Sequence, residues 1–286
     1  MPAVPFSTNS LSPVGQEYLC KPTISAVEHL CRMRGSSQSH LMRCSDRKLY
    51  VVKFLNNPQH KRVLANEILG TGLAALAGLP VPCMALVHVD NLLIQETPGL
   101  TVTLANKTVP CEAGLQFGSE YAINPIQGRI FDDFPTKLLS QVKNLADFAG
   151  MLVVDKWTGN VDDRQATFWR TGRQKLYNAT FIDQGHCFNV GAWTFPDKPL
   201  LGCYRRNEVY VGVRGWQSFE PWLSRIERMD EGTIRSLGTQ IPPEWSIEMN
   251  HLSSLLDALA GRRSIVRDLI HAFRCSRSKP FPNWRD

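Results

Sequence analysis

The stretch VLANEILGTGLAALAGLPVP, residues 63–82, decides how the rest of the chain is read. Leu64, Ile68, Leu69, Leu73 and Leu76 recur at helical spacing, which predicts a helix. Asn57 and Pro58 upstream suit an N-cap and a first turn. Gly78 suits the residue that ends a helix, and Pro80 forbids continuation. Inside the apolar run stands one carboxylate, Glu67. Fourteen residues earlier is Lys53, the lone lysine of LYVVKFL (49–55), whose β-branched and aromatic residues read as a strand. A lysine in an apolar strand needs a partner or an anionic ligand. A carboxylate on the following helix is a candidate for that partner.

Working outward, HLMRC (40–44) reads as the preceding strand, joined through Asp46. TISAVEHLCRM (23–33) suits strand or helix, because its apolar residues at 24, 27 and 30 fit either period. MALVHV (84–89) and NLLIQE (91–96) read as a hairpin turning at Asp90–Asn91. Residues 97–134 read as loop-rich, with TPGL (97–100) as a hinge. From residue 135 a stripe of Leu138, Val142, Leu145, Ala149 and Leu152 predicts one helix. ATFWR (166–170) and KLYNATFID (175–183) flank TGRQ as a hairpin. The chain after residue 200 reads as mainly helical, with the face of 251–273 interrupted at Gly261.

Of the 286 residues, 43% are hydrophobic and 20% charged, which suits a globular chain with a sizeable core. The sequence contains no run of eighteen apolar residues, so no membrane span is expected. MPAVPFSTNSLSPVG lacks a basic and an apolar signal region, and residues 1–20 are expected to be a flexible lead-in. Eight cysteines at irregular spacing, with no CxxC pair, read as free thiols of a reducing cytoplasm. His186 beside Cys187 is too little for a zinc site. The net charge of +6 is concentrated in GRRSIVRDLIHAFRCSRSKP (261–280). With no nucleic-acid motif beside it, this stretch reads as a solvated helix face and basic tail, so direct nucleic-acid contact is not expected.

Chemistry-bearing residues fall in order along the chain. RGSSQSH (34–40) is a small-residue loop between candidate strands. The backbone N–H groups of Gly35, Ser36 and Ser37 can wrap phosphate oxygens there, although such a loop alone is most often a turn. Lys53 and Glu67 follow. VVDKWTGNVDDRQATFWR (153–170) then brings acids and amides just before the hairpin, and FIDQGHCF (181–188) brings an Asp-x-Gly just after it. One carboxylate to accept a hydroxyl proton, with another and an amide to hold magnesium, is the donor set of phosphoryl transfer.

This ordered set resembles the HipA-like kinases, most of all their compact kinase-domain subfamily. ANEILGTGLAALAGLPVP is similar to that family's Asn-Glu helix, RGSSQS to its phosphate loop, GNVDDR to its Gly-Asn-x-Asp motif and FIDQG to its magnesium-binding motif. The resemblance covers roughly residues 24–190. It implies an α+β, bilobal protein-kinase-like fold. A small β-rich lobe with one helix would occupy residues 21–96, and a larger, mainly helical lobe residues 97–286. It implies ATP and Mg2+ as cofactors, with Lys53 held by Glu67 at the phosphates, Gln95 and Glu96 as the adenine hinge, and Asp183 on the metal. It also implies transfer to a serine hydroxyl on a protein, and a separate antitoxin or regulator as partner. A small-molecule or lipid kinase, or a pseudokinase acting as an interaction module, would keep much of the same machinery.

The catalytic loop departs from the family pattern Asn-x-Asp-x-His-x-x-Asn. With Asp162 as the base, Arg164 falls at the histidine and Thr167 at the metal-binding asparagine. Gln165 or Asn160 would then supply the amide. A second register makes Asp155 the base and Asn160 the metal ligand, at the five-residue spacing of general kinase loops. Asp162 abuts the hairpin, which favours the first register. Asp155 would then orient the loop.

Overall fold

The computed structural model describes residues 21–123 and 126–285. The expected lead-in over residues 1–20 lies outside them. The described residues begin with a small closed barrel. Its strands are β1 (Lys21–Arg32), β2 (His40–Cys44), β3 (Leu49–Lys53), β4 (Met84–Val89) and, after a β5 (Thr101–Leu104) and β6 (Lys107–Pro110) hairpin, β7 (Gly114–Glu120). The barrel order is β1-β2-β3-β7-β4, closed by the parallel pair β1 and β4. Met42, Tyr50, Val52, Phe54, Ala85 and Val87 fill it.

The ambiguous stretch 23–33 is therefore strand. Its register against β2 shifts between Ala26 and Glu28 and again between His29 and Cys31, which breaks the two-residue alternation that marks a strand in sequence. The expected hairpin at 84–96 is replaced by a strand and a helix. Asp90 accepts from Leu92 N at 2.7 Å and so caps α2 (Asn91–Glu96), where a hairpin turn was read. Residues 97–134 hold four strands, β5 to β7 and β8 (Gly128–Phe131), each short or interrupted by glycine and polar residues. Because β7 pairs with both β3 and β4, the small sheet runs past the boundary expected at residue 96, as far as Glu120.

Helix α1 (Arg62–Leu76) is buried from Val63 through Ala75, as expected of a helix apolar on every side. It starts later than Asn57, whose Oδ1 instead accepts from Gln59 N and His60 N in the turn before it. Gly78 takes φ +87° past its end.

The single helix expected from residue 135 is split into a 3-10 turn, Thr136–Gln141, and α3 (Asp147–Thr158). Between them the backbone turns to other partners. Lys143 N donates to Tyr177 O at 2.8 Å, and Asn144 Oδ1 accepts from Ala179 N at 2.8 Å. The hairpin is present as β9 (Gln165–Thr171) and β10 (Asn178–Ile182), with β8 on its other edge. The remaining chain folds into α4 (Trp222–Glu227), α5 (Glu231–Gly238), α6 (Met249–Arg262) and α7 (Val266–Arg274). The break in 251–273 falls at Arg263–Ile265, just after Gly261. One large core spans α1, α3, the hairpin and these helices. The mixed small sheet and helical lobe make an α+β, kinase-like fold. Among the described residues no helix is long and apolar enough to cross a membrane.

Candidate active site

Strand β3 ends on Lys53, helix α1 carries Glu67, and the chain leaves β10 at Asp183. These three meet. Lys53 donates to Glu67 Oε1 and, at 2.7 Å, to Asp183 Oδ1. Lys53 is 6% exposed and Glu67 2% exposed, so the ions are almost wholly removed from water. Burial lowers the proton affinity of Lys53, but Asp183 and Glu67 outweigh it and hold the ammonium above its ordinary range. Burial also pushes Glu67 up against the pull of Lys53. It acts in the same sense on Asp183, yet Lys53, His186 and Arg164 bring that carboxyl down to about 2. Asp183 is thus ionised at neutral pH, with a quarter of its side chain exposed.

Glu67 has a second task. Its Oε2 accepts from Gln184 N and its Oε1 from Gly185 N, both at 3.0 Å. The neighbouring Asn66, fully buried, donates to the carbonyls of Gly185, Cys187 and Val190 at 2.7–3.0 Å and accepts from Trp193 Nε1. The Asn-Glu pair of α1 therefore clamps the segment that follows β10. Only glycine fits at 185, where a Cβ would lie 2.7 Å from Val63 Cγ1 and 3.2 Å from Glu67 Oε1. Asp183 itself sits at φ +61°, a left-handed conformation uncommon outside glycine, and this clamp fixes it.

The carboxylates of the segment before β9 separate by environment. Asp155 is 1% exposed and sits in a chelate with Arg164, whose Nε lies 3.0 Å from Oδ2. Asp155 Oδ1 also accepts from Asn160 Nδ2 at 2.9 Å. Arg164 goes on to donate to the carbonyl oxygens of Ile182 and Asp183 and to Gln184 Oε1. Asp155 thus ties the loop to the Asp183 segment, with its carboxylate almost wholly buried. The carboxylate expected as the alternative base is therefore the one buried in an ion pair. Asn160 is 3% exposed, and its Oδ1 accepts from Asp162 N at 3.1 Å, so its amide is engaged in shaping the loop. Asp162 is different, with a side chain 44% exposed. Gln165, exposed, opens β9 directly across from Ile182, the residue before Asp183. Thr167 pairs with Thr180 two positions along, on the Gln165 face, and its Oγ1 is buried without a hydrogen-bond partner. An ionised carboxylate, an exposed amide and an orphaned hydroxyl suit a hard divalent cation.

The small-residue loop joins β1 to β2. Gly35 has φ +126° and Gln38 φ +51°, and Gln38 N closes the turn on Gly35 O at 3.3 Å. Gln38 anchors it to β5 through Thr103 N and O. Ser36 is exposed and Ser37 buried. Gln95 and Glu96 lie on the exposed face of α2, beyond β4. The strand that leads out of the barrel between β3 and β4 is β7, so the connection toward the large lobe starts at Glu120. That connection is a different segment from Gln95 and Glu96, the expected hinge. It was missed because β7, GLQFGSE, lacks the apolar alternation of a strand. Asn66 and Arg164 also went without a role in sequence, although a lone amide beside Glu67 in an apolar helix carries the same signal as Glu67.

A family model described as HipA-like kinase matches residues 27–180. No curated protein matches the chain. Among solved structures it is similar to the Helicobacter pylori proinflammatory kinase CtkA, with TM-score 0.56 and 16% identity over 89% of this chain and 99% of that one. It is similar to HipA of the Shewanella oneidensis MR-1 toxin–antitoxin system, solved with HipB and operator DNA. There the TM-score is 0.54 and the identity 12%, over 88% of this chain and 69% of that one. Hydra Fam20, solved with sugar, gives TM-score 0.52 and 10% identity over 93% of this chain and 88% of that one. At these identities the likeness is one of fold.

Proposed function

This chain belongs to the HipA-like kinase family, and on that premise we propose that it is an ATP- and Mg2+-dependent phosphotransferase whose acceptor is a serine hydroxyl on a protein. The observation that carries this reading is the Lys53–Glu67–Asp183 set, a buried ammonium between two carboxylates, one of them partly open to solvent. Such an arrangement is costly in the absence of a polyanion and a cation to exploit it.

In this reading Lys53 meets the α- and β-phosphates, and the backbone N–H groups of Gly35, Ser36 and Ser37 cover the outer phosphate oxygens. Backbone groups of residues 120–123 take the adenine-facing place first expected of Gln95 and Glu96. Magnesium, when bound, neutralises phosphate charge. Asp183 would hold it, with Gln165 and Thr167 as the further oxygen donors and Asn160 left to support the loop. Asp162 accepts the acceptor hydroxyl's proton. Little covalent chemistry remains for the protein, so positioning and charge supply the catalysis.

A second reading, a nucleotide-binding module without transfer, draws on Thr167 standing where the family pattern has asparagine. A separate protein regulator is proposed by analogy with the HipA structure that contains HipB. All seven cysteines among the described residues are free, which supports a reducing, cytoplasmic setting. Calorimetric titration of ATP with Mg2+ and with a chelator tests the nucleotide site. The wild type should bind more tightly with Mg2+, and Asp183→Ala should lose that difference. Equal affinity with metal and chelator in the wild type would reject the reading.

A further inference from the structure

Asp162 is held from two sides. Its Oδ1 accepts from Asp163 N at 2.8 Å, and its Oδ2 lies 3.3 Å from His186 Nδ1. On the far side of that imidazole, Nε2 lies 2.7 Å from Gln59 Nε2, and the same amide nitrogen is 3.0 Å from Ser36 Oγ. One row of side chains therefore runs from the phosphate loop, through the β3–α1 connection, to the exposed carboxylate of the catalytic loop.

Hydrogen-bond chemistry fixes the proton positions. If the Gln59 amide donates to Nε2, the ring proton sits on Nδ1 and points at Asp162. If the amide is turned so that its oxygen faces the ring, Nε2 must donate to it. Nδ1 still faces a carboxylate, and a ring proton there again points at Asp162. In both cases Nδ1 is the ring nitrogen that faces Asp162, at 3.3 Å from its Oδ2. The imidazole is itself located by its own backbone, since His186 O accepts from Val161 N in the catalytic loop at 3.2 Å.

We infer that His186 is the positioning residue for Asp162, and that Gln59 couples it to the phosphate loop, so that the nucleotide side and the acceptor side of the site are aligned by one row of polar contacts. The inference rests on the reading of Asp162 as the base. It does not require His186 to touch either substrate. Its consequence is that occupancy of the phosphate loop is felt at the imidazole through Gln59.

The test uses the full chain with ring-15N-labelled histidine, the His186 signals being assigned by their loss in His186→Asn. The wild type should show a protonated Nδ1, and adding a non-hydrolysable ATP analogue with Mg2+ should shift the His186 ring nitrogens. In Gln59→Ala the nucleotide should still bind, and that shift should be lost. An imidazole protonated only at Nε2, or an undiminished shift in Gln59→Ala, overturns the inference.

A kinetic arm uses steady-state ATP turnover. His186→Leu should lower kcat by about tenfold to a hundredfold with little change in KM for ATP. His186→Asn, whose amide can reproduce the Nδ1 donor, should recover most of the loss, and His186→Gln, which reproduces the other nitrogen, should not. Equal rescue by both, or wild-type turnover in His186→Leu, counts against it. Absence of turnover in the wild type would instead reject the kinase reading, and the NMR result would still decide whether the row exists.

Discussion

Lys53 Nζ and Asp183 Oδ1 lie 2.7 Å apart although 130 residues separate them in sequence. With Glu67 they form a buried set in which one ammonium serves two carboxylates. Removing the ammonium should be worse than removing an apolar side chain of the same size. Lys53→Met is expected to lower stability by about 3–5 kcal/mol, because two carboxylates then share a dry site. It should also abolish the thermal stabilisation given by MgATP, which is about 2.7 kcal/mol at a hundredfold excess over Kd in a competent protein. Denaturant unfolding with and without nucleotide checks both. A variant of wild-type stability that still responds to MgATP would remove Lys53 from the site.

The second prediction concerns acid. Asp183 is brought from an ordinary 3.8 to about 2. A depressed carboxyl contributes stability that is complete above its unfolded value and is lost as pH falls through the folded one. Between about pH 4 and pH 2 the wild type should therefore lose roughly 2 kcal/mol on account of this group. Asp183→Asn, with nothing to titrate, should lose correspondingly less over that window. Parallel stability curves for the two proteins would refute the assignment.

Asp155 and Asp162 should fail in different ways. Asp155 is buried in a chelate with Arg164, which in turn holds the carbonyl oxygens of Ile182 and Asp183. Asp155→Asn should lower the melting temperature as well as the rate, since Arg164 is left buried without its counter-ion. Asp162 is exposed to solvent, and Asp162→Asn should leave the melting temperature close to wild type while lowering turnover by about 10²–10⁴-fold. A stable but inactive Asp155→Asn beside an active Asp162→Asn would return the base to Asp155.

Asn66 offers a test of the clamp. Its two amide hydrogens are shared among three carbonyl groups of the segment 185–190. Asn66→Ala leaves those carbonyls in a buried setting, at about 1–3 kcal/mol for each that finds no new partner. Amide hydrogen exchange should accelerate in residues 184–193 well before the rest of the chain. Uniform acceleration throughout would mean that Asn66 supports the fold generally and not this segment.

The site was more legible in the sequence than the elements around it. Lys53, Glu67 and Asp183 each stood as a charged group in an apolar run, and burial of charge demands a partner whatever the fold. Asn66 carried the same signal, but amides are neutral and their partners here are carbonyl groups, which no sequence pattern marks. Spacing left two loop registers open, of which the place of Asp162 beside the hairpin favoured one; the two carboxylates differ in burial and not in type. Strand β7 was hidden by Gly114 and Gly118 and by its polar residues. NLLIQE was misread because six apolar-rich residues suit strand and helix alike, and only the Asp90 cap decides between them. The bulges in β1 blurred its period in the same way.

The central claim is that this chain transfers phosphate from ATP, with Asp162 and Asp183 in distinct roles. The most direct measurement is incubation of the purified chain with γ-labelled ATP and Mg2+, following label onto protein serine by mass spectrometry and ADP release by chromatography. The account predicts ADP formation and phosphoserine in the wild type. Asp183→Ala should abolish both and bind MgATP weakly, and Asp162→Asn should lower both by about 10²–10⁴-fold while binding MgATP as well as the wild type does. A wild type that binds MgATP but releases no ADP and gains no label, with any protein acceptor offered, would contradict it and leave the nucleotide-binding module as the account of this fold.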